Sequence, residues 1–155
     1  MALKPDRREL DSDISFFMNH VAERGGVVSI VTAGSGGAMD QAQAAVGYSA
    51  TSSGKLPMGY LTCDMVDVDL SRYFLNREKD EVQKGGKVKL LTLGMVTTNM
   101  IKSGITIAAG DKAYLDVDGR VTNVNTGAAA SPHIGKFESI KDSDGYAKVS
   151  FNFLK

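Results

Sequence analysis

The side chains with chemical potential in this 155-residue chain are few and scattered. There are two histidines, His20 and His133, at opposite ends of the sequence, and a single cysteine, Cys63. A zinc-type centre would need both imidazoles and a carboxylate to converge, since such sites take three or four protein ligands. A thiol nucleophile would need a histidine beside it. A lone cysteine in an apolar run reads instead as a small buried hydrophobe. The acidic residues are more clustered. Asp64, Asp67 and Asp69 lie within one short stretch, and Asp142-Ser-Asp-Gly145 begins like a calcium loop. The EF-hand pattern needs a further ligand before its glycine and a bidentate glutamate after it, and neither is present. Asp-Gly between strand-like runs, at Asp118-Gly119 and Asp144-Gly145, is hairpin chemistry, because the turn requires positive φ. Asp67 and Asp69 alternate with Val66, Val68 and Leu70, which places them on the solvated face of a strand. Gly34-Ser-Gly-Gly37 has neither the Lys-Ser/Thr ending of a P-loop nor the spacing of a dinucleotide fingerprint. No Gly-x-Ser-x-Gly elbow occurs. No catalytic residue, metal ligand or cofactor site is expected, and the chain reads as a non-enzyme.

Composition narrows the remaining classes. Eighteen basic residues balance eighteen acidic ones, so no global field draws the chain to nucleic acid or an anionic membrane. Tryptophan is absent and aromatics are sparse, which argues against a stacking platform for single strands. One cysteine excludes an intrachain disulfide. The first residues lack an apolar run behind their basic ones and no membrane-length apolar stretch follows, so synthesis in a cytoplasm is expected.

The elements that must position any site are β-strands. Seventeen glycines and three prolines suit a turn-rich β-protein. Val27–Thr32, Met58–Cys63, Met65–Leu70 and Lys87–Leu93 are strand-like, the last with lysines that read as edge protection. In the last third, short apolar-alternating runs begin at Ile105, Ala113, Arg120, Ile134 and Gly145, and Gly94, Gly104, Gly110, Gly119 and Gly145 punctuate the region. Tyr73–Glu81 reads as a loop or short helix. The fold class is therefore mainly β, a small antiparallel barrel over residues 27–155, with an exposed Gly/Ala/Ser-rich loop at 33–54. Residues 1–26 read as an N-terminal arm. Ile14, Phe17, Met18 and Val21 fall at i, i+3, i+4 and i+7, which favours a helix, while Ile14, Phe16 and Met18 also alternate, which suits an extended arm lying on a neighbour.

After the apolar-bearing N-terminal segment the chain runs through Pro57-Met-Gly-Tyr-Leu-Thr-Cys-Asp64, Leu70-Ser-Arg-Tyr73, Asn76-Arg-Glu-Lys-Asp-Glu-Val82 and Gly85-Gly-Lys-Val-Lys-Leu-Leu91. Gly110-Asp-Lys-Ala-Tyr-Leu115, Asp118-Gly-Arg-Val-Thr-Asn123, Ile134-Gly-Lys-Phe137 and Asp144-Gly-Tyr-Ala-Lys-Val149 follow. In these the chain past residue 10 resembles the decoration, or capsid cement, proteins of tailed phages, especially those of phages of marine bacteria and cyanobacteria. The resemblance implies a barrel or β-tulip domain, commonly trimeric, bound to the outside of the capsid and bridging neighbouring major capsid protein subunits. Ile14, Phe16, Phe17, Met18, Val21 and Tyr48 are the expected contacts with capsid or protomer, since aromatic and apolar anchors dominate interface energies. A tail or baseplate component is a related alternative. A glycan- or small-molecule-binding barrel with Tyr48, Tyr60 and Tyr114 near its mouth is the alternative from another class.

Overall fold

A computed structural model of the chain describes residues 2–36, 44–65, 79–125 and 131–154. The chain is mainly β, with no α-helix among these residues. The strands are β1 (Arg8–Asp13), β2 (Phe17–Met18), β3 (Ala22–Glu23), β4 (Val27–Thr32), β5 (Ala45–Gly47), β6 (Pro57–Asp64), β7 (Glu81–Val82), β8 (Val88–Thr98), β9 (Lys112–Leu115), β10 (Val121–Thr122), β11 (His133–Phe137) and β12 (Ala147–Asn152). Ten of them form one sheet in the order β10-β9-β11-β12-β8-β6-β4-β5-β2, with β1 added to β8, and β3 pairs with β7 apart from it.

The long strand β8 organises everything. Along it β6 pairs with 88–91, β12 with 93–98, and β1 with 90–95. Because β1 overlaps both of the others, it must occupy one edge of β8 while β6 and β12 share the opposite edge. The sheet thus splits at β8 into two branches. The β6-β4-β5-β2 branch bends back until Phe16–Met18 exchange backbone hydrogen bonds with Gly85–Val88. The β12-β11-β9-β10 branch bends back until Val121 bonds Met100 and Lys102 at 2.9 Å each, just past the end of β8. The ten-stranded ladder itself is not closed, because its end strands β10 and β2 do not pair with each other.

Two apolar cores result, and neighbouring residues on the shared strands divide between them. Val27, Tyr60 and Leu91 face the first, with Phe137, Val149 and Phe151. Val28, Leu61 and Leu90 face the second, with Val46 and Val82. Strands buried on both faces read as continuous apolar runs, which is why Val27-Val28, Tyr60-Leu61 and Leu90-Leu91 are doublets.

Several sequence expectations change. The helix at Ile14, Phe17, Met18 and Val21 does not form. Residues 3–17 instead run antiparallel along one edge of β8, from Leu3 opposite Thr98 to Phe17 opposite Lys87, because that edge offers unpaired backbone groups a ladder. Leu3 enters the first core and Met18 the second, with Phe16 packed against it. Lys87 and Lys89 do not guard an open edge: Lys89 pairs with Glu9, and Lys87, just before β8, lies 5.6 Å from the ring centroid of Phe17. Within the expected loop 33–54, residues 45–47 form β5, antiparallel to β4 and parallel to β2. The run from Ile105 is not a strand; it carries Ile107 into the first core and turns at Gly110. The expected strand at 66–70, the segment 73–78 and the loop residues 37–43 lie outside the described residues.

Gly94 is not a turn either. It lies inside β8 with φ +149°, where Leu91 and Val96, an odd number of residues apart, both face the first core. Strict alternation is broken there, and a Cβ on Gly94 would collide with the Arg8 carbonyl of β1. Gly94→Ala is expected to cost about 3 kcal/mol from backbone strain plus the steric clash. Gly104→Ala, at φ +74° with open space around it, should cost clearly less. Urea unfolding of the two variants measures the difference.

Candidate interaction surface

The six residues expected to contact a partner are divided by the fold. Met18 is buried, and Phe16 and Phe17 are half-buried around β2. Ile14 and Val21 flank that strand and stay exposed, at 48% and 50%. With Leu10 of β1, which is also exposed, they are apolar side chains of the N-terminal segment free to meet another surface, and they flank backbone held from both sides. On one side the Asn19 N–H donates to the Val46 carbonyl at 2.9 Å; on the other the Met18 N–H donates to the Gly86 carbonyl at 3.0 Å and the Gly85 N–H to the Met18 carbonyl at 2.8 Å.

Tyr48 serves the interior. Its hydroxyl accepts the Gly26 N–H at 3.0 Å and donates to the Glu23 carbonyl. Its ring fills the space that a Cβ would need on Gly26 and on Gly119. Nearby, the Asp118 N–H donates to the Ser49 carbonyl at 2.7 Å. Tyr48 thereby fastens the turn of the second branch to the first. Burial pushes its phenol well above the ordinary value, so it stays a neutral donor at any physiological pH.

The three tyrosines considered as a binding mouth do not assemble. Tyr60 is fully buried, its ring centroid 4.5 Å from the tilted ring of Phe151 and 6.0 Å from the edge-on ring of Phe153, and Tyr114 sits on β9 beside His133. The histidines stay apart too. The His20 ring packs over Gly47 beside Tyr48, whereas His133 lies on β11, 5.5 Å from Tyr114. Cys63 is a half-buried free thiol on β6 opposite Lys89. Among the described residues no three His, Cys, Asp or Glu side chains come together as metal ligands. Asp64 ends β6; Asp67 and Asp69 lie outside the described residues.

The acidic turns hold their own backbone. Asp142 Oδ1 accepts the N–H groups of Tyr146 at 2.7 Å and Asp144 at 3.0 Å. Asp118 and Gly119 both take positive φ, at 55° and 71°, in the five-residue connection between β9 and β10. Asp111 accepts from Ala108 N–H at 3.0 Å and from Asn123 at 2.9 Å, tying the 105–111 loop to the residues after β10.

These contacts lower both carboxyl pKa values from 3.8, chiefly through the Tyr146 N–H at Asp142 and the Ala108 N–H at Asp111. A carboxyl with a depressed folded-state pKa adds stability above its unfolded value and loses it as pH falls toward the folded one. Thermal stability should therefore decline below about pH 4. Asp142→Asn, which keeps an acceptor without a charge, should show a shallower acid limb in melting temperature against pH. For Tyr48→Phe, loss of two hydrogen bonds with the Gly26 N–H left buried should cost about 2 kcal/mol in urea unfolding. No protein-family model and no curated protein matches the chain, so its kinship is not fixed by comparison.

Proposed function

We propose that the chain is a non-enzymatic structural protein of a phage virion, which decorates the outer capsid surface as a homotrimer and bridges neighbouring major capsid protein subunits. The observation carrying this reading is the seating of Ile14 and Val21. They are exposed aliphatic side chains flanking a segment, residues 16–19, whose backbone is hydrogen-bonded to strands on both sides, and a held segment lowers the entropic cost of docking. The resemblance to decoration proteins in the strand-and-turn stretches supports it, and so does the use of the chain's acidic turns for local backbone bonding. Two branches that each curl back to the flanks of β8 are compatible with a barrel or tulip-like form. Residues 1–26 act in this reading as a docking segment built into the sheet rather than a detached arm. Repetition over a symmetric shell multiplies modest contacts into firm attachment.

Deletion of the N-terminal segment would remove Leu3, Met18 and Ala22 from the two cores and unfold the protein, so a surface change is the cleaner test. Ile14→Asp with Val21→Asp should leave the melting temperature within a few degrees. It should also lower copy number on expanded capsids at least about tenfold, since two apolar anchors are lost. Light scattering should give a three-chain mass for the free protein. Undiminished decoration by the double variant, or no capsid binding by the intact chain, overturns the reading.

A further inference from the structure

A wide cavity among the described residues lies away from Ile14 and Val21. It is an open groove of about 620 Å³ on the sheet face formed by β1, β8, β12, β11 and β9. The pairing register aligns one residue from each strand across it: Arg8 opposite Met95, Met95 opposite Ser150, Ser150 opposite Lys136, and Lys136 opposite Lys112. Cross-strand partners share a face, so this row presents a cation at one end, two cations at the other, and a small apolar-to-neutral centre. Leu10 and Leu93 add aliphatic walls.

The charges of this row are uncompensated. Some basic side chains elsewhere find carboxylates, as Lys4 does with Asp142, Arg24 with Asp80, Lys102 with Asp116 and Lys148 with Asp6, while others such as Lys55 and Arg120 stand alone among the described residues rather than in a row. Arg8, Lys112 and Lys136 are exposed and make no ion pair among the described residues. Lysines directly opposite one another on adjacent strands repel, and a chain with equal numbers of acidic and basic residues had carboxylates with which to relieve them. Among the described lining residues only Glu138 is acidic.

From this arrangement we propose that the groove binds an extended, acidic and aliphatic polypeptide segment of a partner protein. Four interstrand steps from β1 to β9 span about 19 Å, the reach of about six extended residues. Cations at both ends of the row call for carboxylates at both ends of the occupant. A single-headed amphiphile supplies only one, whereas a peptide carrying acidic and aliphatic residues along its length brings carboxylates within reach of both ends of the row and aliphatic side chains to Met95 and Leu93. The proposal stands independently of the capsid reading.

The test uses the full chain and a fluorescein-labelled, N-acetylated alternating Asp–Leu peptide of about eight residues. Saturable anisotropy binding that weakens with salt is expected, and an alternating Lys–Leu peptide should not bind. Lys136→Glu turns the repulsive cross-strand pair with Lys112 into an attractive one. It should raise the melting temperature while weakening Asp–Leu binding at least about tenfold. Lys148→Glu, outside the groove lining, should leave peptide binding unchanged. No binding, equal binding of the Lys–Leu peptide, unchanged affinity in Lys136→Glu, or full displacement of the peptide by dodecanoate would each overturn the proposal.

Discussion

β8 is paired along both edges and feeds two cores, and the rest of the molecule is arranged around it. Its residues 90–91 and 93–95 are paired on each side, by β1 on one edge and by β6 or β12 on the other. Its side chains enter two separate cores. Where β8 carries apolar residues on both faces, at Leu90 and Leu91, neither face can meet water, so each branch of the sheet curls over one of them. The N-terminal segment completes the enclosure. It supplies the ladder along the free edge of β8, Leu3 to one core and Met18 to the other. Gly94 admits this close approach, since any side chain there would strike the backbone of β1.

Tyr48 performs the matching task at the periphery. Ladder hydrogen bonds bring each branch back to the flanks of β8 but leave the branches to be joined to each other. A buried phenol with one donor and one acceptor contact, set against two glycines, does this in little space. The choice of tyrosine follows from the need for an apolar ring with a polar tip that can be satisfied inside the fold.

Much of the β-architecture was legible locally. Val27–Thr32 is found as a strand with the bounds its β-branched run indicates, and Asp118-Gly119 takes the positive φ values expected of it. The N-terminal segment was not legible, because its apolar residues satisfy a helical and an extended period at once. What decides between them is an unpaired edge contributed by residues some eighty positions away, as in the pairing of Asp13 with Leu90. Lys87 and Lys89 misled for a related reason: Lys89 is balanced by Glu9, a partner that only the register reveals. The candidate contacts were legible as apolar residues, but the split between interior Met18 and exposed Ile14 depends on tertiary placement. No local signal marks Arg8, Lys112 and Lys136 as neighbours. Their row exists only through the registers of five strands.

Sharing one strand between two cores also sets how the molecule comes apart. Neither branch can detach from β8 without exposing apolar surface that belongs to the other half, because adjacent side chains such as Leu90 and Leu91 serve opposite cores. Opening of one half therefore carries much of the cost of opening both, and the two halves behave as one cooperative unit rather than as separable foldons. The amides of β8 between residues 90 and 95 are then the slowest to exchange with solvent, released only when the whole molecule unfolds.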